Sequence, residues 1–412
     1  MYLTSLTKIK KSHPLYKEVD SFCLLSKKLK NKIIWLQREA YKNNQGYISF
    51  YTMAHELAKN NDPDYRALPA KTARQTTKTV DEMYQSFFAL RKKGLKARPP
   101  RFSEKGDKGR FIVIFDYLSR KAFKNGFIKP SGMTGMISIP KHLKDIKLCY
   151  IKEVRFVPKG NFYQMEIVYI TKEEEYQDTG NYAAIDVGLK NFLTICTNNS
   201  SPALVKGKKF IDTSAYWIRH KADMQSRLKK NVRTSKRIQV LTEKRNNKVR
   251  NDIHCLTKQL INYFKGLQIS DVYIGWNTGI KHGIKLGKRT NQKFVYLPHK
   301  KLIDTLGYKC QRAGMKLHTV PEAYTSKCSF IDNEEIKKHK EYMGKRVTTK
   351  FFVSKNGTKI NADVNAAYNI LRQSRGIQFS ELDPRQVYGT PKVLDISYGY
   401  TRRNSAQILK QT

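Results

Sequence analysis

Ala183-Ala184-Ile185-Asp186-Val187-Gly188-Leu189-Lys190-Asn191-Phe192 places one carboxylate at the end of a short apolar run. Such a run suits a buried strand, and Gly188-Leu189-Lys190-Asn191 reads as a turn into a second strand over 192–196. Taken alone, Asp186 is as readily a turn aspartate as a functional one. Working outward, 214–265 reads as a long helical stretch, 271–276 and 316–320 as apolar strands, and 302–314 as a helix. A further helix starts in Asn361-Ala362-Asp363-Val364-Asn365-Ala366-Ala367-Tyr368-Asn369-Ile370. There Asp363 alone reads as a helix N-cap and Asn369 as polar surface. Strands alternating with helices make this half of the chain α/β.

Charge narrows the partners. The 412 residues hold 79 Lys and Arg against 34 Asp and Glu, a formal net charge of +45. Self-repulsion of that size opposes compaction unless a polyanion neutralises it, and nucleic acid releases counterions with every phosphate contacted. Apolar residues are 40% of the chain, enough for real cores, and the length predicts two or three folding units. No run of about 18 apolar residues is present and Met1 to Lys11 lacks a signal-peptide core, so an intracellular protein without a membrane partner is expected. Six scattered cysteines without a CxxC pair read as reduced, mostly buried thiols.

Towards the N-terminus, Phe22, Leu25, Leu29, Ile33 and Leu36 recur at helical spacing, as do Val80, Met83, Tyr84 and Phe87. Residues 12–105 therefore read as a helical module after a first short strand in 1–11. From Arg110 the period becomes that of strands, and Pro158-Lys159-Gly160-Asn161 between 153–157 and 162–170 signals a hairpin. A small β-barrel or sheet over about 106–178 follows, with a boundary near Gly180. The last residues, 376–412, are polar and weakly periodic and read as a disordered tail.

A strand-borne Asp and a later helix-borne Asp are how an RNase H-like fold brings carboxylates to metal ions. Two hard cations roughly 4 Å apart can activate water and stabilise the leaving oxygen of a phosphodiester. Oxygen ligands suit Mg²⁺, with Mn²⁺ as a substitute. The same residues carry a family likeness. Ala184 to Phe192 resembles the first RuvC motif of TnpB (OrfB) proteins, transposon-encoded RNA-guided nucleases related to type V CRISPR effectors. Asp363 to Ile370 is similar to their third motif, and Tyr324-Thr325-Ser326-Lys327-Cys328-Ser329 to the opening of their zinc ribbon. Leu68-Pro69-Ala70-Lys71, Pro99-Pro100-Arg101-Phe102 and Val154-Arg155-Phe156-Val157-Pro158-Lys159-Gly160 extend the likeness upstream. The resemblance implies a multidomain α+β chain. A helical recognition module is inserted in a wedge-like β-barrel, and a RuvC domain over 179–375 follows, with a degenerate ribbon at about 325–360.

Two departures from the family pattern matter. Where its second motif places a Glu after an apolar strand, this chain has Gly275, within Asp271-Val272-Tyr273-Ile274-Gly275-Trp276-Asn277. Glu322, just beyond 316–320, is the substitute we expect, because adjacent strands can serve one metal site. The competing reading is a loop acid paired with surplus Lys, which contributes little. The ribbon keeps Cys328, with His339 as the other nearby donor, and Glu334, Glu335 and Glu341 read as solvated surface. A structural site takes about four ligands, so zinc is not expected.

Arg219 to Arg250 holds twelve Lys or Arg against Asp223 and Glu243 and reads as a phosphate-tracking helix, with Arg227, Lys229, Lys230, Arg233 and Arg237 as contacts. Lys281 to Lys301 adds seven cations, among them Lys288 and Arg289. Lys71, Arg74, Gln75 and Lys78 share one face of a candidate recognition helix. The expected activity is an RNA-guided DNA endonuclease with Asp186, Glu322 and Asp363 on two Mg²⁺ and Asn277, Asn365 and Asn369 orienting ligands or substrate. Its expected partners are a guide RNA and double-stranded DNA bearing a short flanking motif. A monomer or weak dimer in the cytoplasm, on the nucleoid when bound to DNA, completes the expectation. The alternative is a nuclease-dead, RNA-guided regulator. A strand-transferring enzyme would need a nucleophile or an end-recognition domain, and neither is visible.

Overall fold

β1 (Tyr2–Lys10) and β7 (Phe162–Ile170) pair antiparallel over their whole length, from Tyr2 opposite Ile170 to Lys10 opposite Phe162. In this computed structural model residues 1–104, 109–116, 118, 123–124, 126–143, 147, 150–277, 291 and 295–394 are described. They form two compact units, Met1–Lys172 and Glu173–Thr412. The boundary falls earlier than the expected Gly180, for a physical reason. Glu174 N–H donates to Arg312 O at 3.2 Å and the Tyr176 hydroxyl to Asp271 Oδ2 at 2.8 Å, tying 173–178 into the second unit.

In the first unit, α1 (Tyr16–Lys42), α2 (Phe50–Lys59), α3 (Pro63–Arg66) and α4 (Ala70–Lys92) follow β1 before the chain returns to β2 (Val113–Phe115). Leu15, Val19 and Cys23 pack on the sheet, while Leu29, Ile33 and Ile34 join Val80 and Tyr84 in a separate helical core. One stripe of α1 thus serves both layers. After the short strands β3 (Phe123–Lys124), β4 (Phe127–Ile128) and β5 (Ile137–Ser138), β6 (Ile151–Pro158) turns into β7 through Gly160, whose φ of 74° the turn requires. The described strands make an open four-stranded sheet, β1-β7-β6-β2, and a separate sheet of β3, β4 and β5. In chain order the four helices lie between β1 and β2, and among the described residues the strands of this unit form these two sheets.

The second unit is a mixed sheet with helices on both faces. Its order is β12-β11-β8-β9-β10-β16. β8 (Tyr182–Val187), β9 (Asn191–Thr197) and β10 (Ala203–Lys206) form an antiparallel meander, and β11 (Asp271–Gly275) and β12 (Lys316–Val320) extend it in parallel from β8. The predicted 214–265 helix is two helices, α5 (Lys208–Ser226) and α6 (Lys236–Gly266), the second capped by Ser235 Oγ accepting Ile238 N–H. A break there turns the chain back so that the two pack together. α7 (His299–Arg312) packs with α6.

Strand alternation decides which face each residue serves. Ala183, Ile185 and Val187 join the core under α6 and α7. Ala184, Cys196 and Tyr273 face the other way, against Val364, Ala367, Tyr368 and Ile370 of α8 (Ala362–Arg375). The ribbon region is a three-stranded sheet of β13 (Lys345–Arg346), β14 (Phe351–Val353) and β15 (Lys359–Asn361), running directly into α8.

The tail expectation fails over 376–394. α9 (Pro384–Tyr388) buries Val387, and Leu382 is buried beside it. β16 (Lys392–Val393) adds a parallel edge to β10, and Gln386 Nε2 donates to Thr197 O at 2.8 Å. Sparse apolar residues suffice because they land on an existing core. The remainder, 395–412, lies outside the described residues. Cys23, Cys196, Cys255, Cys310 and Cys328 are free thiols. No described helix is long and apolar enough to cross a membrane.

Candidate active site

Asp186 shares the face of Ala184, so β8 delivers it to the side of the sheet on which α8 lies. Gly188 follows in a tight turn to β9: a Cβ there would meet Asn191 O at 2.5 Å. The turn brings Asn191 towards α8, and its Nδ2 donates to Asp363 Oδ2 at 2.8 Å. Lys206 Nζ donates to Asn191 Oδ1 at 2.9 Å behind it. Asp363 is not the helix cap. That role belongs to Asn361, whose Oδ1 accepts Asp363 N–H at 3.0 Å and Val364 N–H at 3.3 Å, leaving the Asp363 carboxylate turned outward.

Gly275 ends β11 on the same face, two residues after Tyr273. A Cβ at Gly275 would sit 2.7 Å from Ile370 Cδ1 and 3.2 Å from Glu322 Oε2. Glu322 therefore fills the space beside the residue that lacks a carboxylate. It arrives from the next strand: Val320 ends β12 opposite Gly275, and Glu322 lies two residues on. Its main chain is held by Thr325, whose hydroxyl donates to the Glu322 carbonyl at 2.9 Å.

Asp186 feels the other two acids. Asp186 is partly exposed at its surface yet closely walled by protein. Burial first, then the charges of Asp363 and Glu322, push its carboxyl up to about 8 against the opposing pull of Arg346. Burial also raises Glu322. Arg346, on β13, donates from Nη2 to Asp363 Oδ1 at 3.0 Å. Among the described residues one guanidinium answers three carboxylates, an excess of negative charge that fits hard divalent cations with oxygen ligands. Arg346, Asn191 and Lys206 were not singled out by the sequence. Arg346 lies in the ribbon region, and only the path of β13 past α8 reveals it.

Other expected residues land elsewhere. Asn365 and Asn369 are fully buried. Asn365 accepts Phe330 N–H and donates to Cys328 O, both at 2.9 Å. Asn369 donates to Thr325 O at 2.8 Å and Cys328 O at 2.7 Å. Asn369 Oδ1 accepts from Arg372 Nη2 at 2.9 Å. With their other amide atoms committed to backbone, both side chains hold the segment after Glu322 rather than reach for substrate. Asn277 lies just past β11 and half-buried, with residues 278–290 beyond it outside the description. Lys288 and Arg289 fall there.

Arg227, Lys229, Lys230, Arg233 and Arg237 are exposed, but they sit at and around the α5–α6 connection rather than along one helix face. Arg227 pairs with Asp223 at 2.8 Å. Lys71, Arg74, Gln75 and Lys78 do share the outer face of α4, with Thr72, Ala73, Thr76 and Thr77 buried opposite. Glu334 is a correction. It is buried, accepting Ser329 N–H at 2.7 Å and Met343 N–H at 3.0 Å, whereas Glu335 and Glu341 are exposed. Cys328, Glu334 and His339 place one donor atom each within 4.8 Å of one another. That is three donors where a structural zinc takes about four.

Residues 163–281 match the family model OrfB_IS605, a probable transposase, and 299–370 match that of the Cas12f1-like TNB domain. The TnpB-like protein ORF457 of Acidianus two-tailed virus is 26% identical over 210 residues, covering 48% of this chain and 43% of that protein. The match thus spans less than half the length of that relative. Among solved structures, the mini-RNA-guided endonuclease CRISPR-Cas_phi3 is 11% identical, with 90% of this chain and 92% of that chain covered and a TM-score of 0.47. The Cas12f1–sgRNA–target DNA complex is 15% identical over 89% and 98% of the two chains, with a TM-score of 0.36.

Proposed function

We propose that this chain, which belongs to the TnpB (OrfB) family, is an RNA-guided DNA endonuclease whose carboxylate triad is Asp186, Glu322 and Asp363. The observation that carries the reading is Glu322 packed over Gly275. In this reading the acid missing at the end of β11 would come from Glu322, two residues beyond β12, which packs against Gly275. Two Mg²⁺ ions held by the triad would activate water and stabilise the leaving oxygen. Asn191 fixes the Asp363 carboxylate and Arg346 balances its charge. Asn369 holds Thr325, which in turn holds the main chain of Glu322. The outer face of α4, with Lys71, Arg74, Gln75 and Lys78, is read as a contact of the helical recognition module to the guide–target duplex or the flanking motif. The exposed cations around the α5–α6 connection track phosphates.

The test is target cleavage with Mg²⁺ and guide. RNA co-purified with the chain is sequenced first, and a transcript mapping beside its gene is the expected guide. Glu322→Gln should lower the cleavage rate at least about a hundredfold, the scale of losing a group that acts on the reacting atoms, while DNA binding persists. Cleavage that survives the substitution removes Glu322 from the triad. A second reading, a nuclease-dead regulator, is favoured by Gly275 itself. Binding without cleavage by the unmodified chain would select it.

A further inference from the structure

The second unit holds a cavity of about 870 Å³, within the usual range for ligand sites. It opens between α5, α6 and the β10 edge extended by β16. Lys206, Lys208, Lys209, Lys244, Arg245 and Lys248 line it against a single acid, Asp212. Lys209 is answered from outside by Asp252 at 3.2 Å. Arg245 is half-buried, donates to Tyr296 O at 3.1 Å and stacks over Trp217, with no carboxylate partner among the described residues. A concave site holding this much uncompensated positive charge attracts an anion.

Its aromatic lining narrows the anion to one with a flat, stackable part. Trp217 is buried in the wall, its Nε1 donating to Thr242 Oγ1 at 3.1 Å, whereas Tyr216 is 54% exposed and leaves ring surface open. The His220 ring packs on that of Tyr216 at 4.1 Å between centroids, and the ring surface left exposed among cations is the pairing that binds single-stranded nucleic acid, bases by stacking and phosphates by charge. Val205, Leu241, Val393 and Leu394 supply apolar wall for a base.

Position selects the strand. Lys206 lines the cavity and donates to Asn191, which donates to Asp363. Two hydrogen bonds thus connect the cavity rim to the site where a strand is to be cut. We propose that this cavity seats one nucleotide of the single-stranded DNA substrate next to the scissile phosphate, its base against Tyr216 and its phosphates against Lys206, Lys244 and Lys248. Tyr216 and these lysines are then binding residues, setting which linkage meets the carboxylates. The proposal rests on the nuclease reading above.

The test uses the full chain, in EDTA and without guide, with a short oligothymidylate carrying one 5-iododeoxyuridine. Illumination should attach the oligonucleotide to a peptide containing Tyr216. Tyr216→Ala should weaken binding of the same oligonucleotide about tenfold, the scale of one base–aromatic stack. Lys244→Gln with Lys248→Gln should reduce the slope of log affinity against log salt by about 1.4, at roughly 0.7 per phosphate contact on single strands. Thermal melting checks that the variants fold, and the crosslink on the unaltered chain stands even if they do not. A crosslink mapping elsewhere, with affinity and slope unchanged, overturns the proposal. So does an oligouridylate that binds tenfold tighter than its DNA counterpart, which would assign the cavity to RNA. Neither guide nor metal is needed, so a chain that fails to cleave can still pass, and a chain that cleaves without the crosslink loses this proposal alone.

Discussion

At Asp186, burial and the charges of Asp363 and Glu322 all favour the protonated carboxyl and push it up to about 8. An unfolded Asp releases its proton near 3.9, so between those values the metal-free folded state binds more protons than the unfolded one. The contribution of this group to stability is therefore fully present below about pH 4 and lost as pH rises through about 8. Asp186→Asn mimics the protonated form at every pH. In EDTA the variant should melt at the same temperature as the unaltered protein below about pH 4 and increasingly above it as pH rises to 8. A difference independent of pH would show that Asp186 does not feel its neighbours. The same residue explains why a lone motif is ambiguous: its ionisation depends on two carboxylates distant in sequence.

At the scale of elements, α8 does two jobs. Its first turn presents Asp363, and its second and third bury Asn365 and Asn369 against the backbone of 325–330. Asn369→Ala would leave the carbonyls of Thr325 and Cys328 without this donor, costing about 1–3 kcal/mol. Because Thr325 holds Glu322, the variant should also lose cleavage rate with little change in DNA binding. Equal loss of both would mean a general unfolding defect instead. The Asp363 helix and both asparagines were legible as a motif. That the asparagines face inward was not, because the helical period gives which residues share a face and not what that face meets. The break between α5 and α6 was missed for a similar reason: Lys and Arg carry good helix propensity across 227–235, and the packing of the two helices outweighs it.

For the whole molecule, the segment 376–394 is the largest revision. Few of its residues are apolar, yet Leu382 and Val387 are buried and β16 closes the edge of the sheet. Burying two such side chains stabilises by about 1.5–3 kcal/mol each. A chain ending at Ile377 should therefore melt at least about 5 °C lower, at roughly 2–4 °C per kcal/mol for a unit of this size. An unchanged transition in calorimetry would return the segment to the status of a tail.

What the sequence alone determined is local or summed: the periodicities of strands and helices, the charge of +45 and the motif pair around Asp186 and Asp363. These need no knowledge of what lies across space. Only the tertiary structure decided that Glu322 stands over Gly275, that Arg346 reaches Asp363 and that Glu334 is buried. Each depends on which strands are neighbours in the sheet and on how far each runs. Sheet pairing joins residues far apart in the chain, and no local pattern records the pairing.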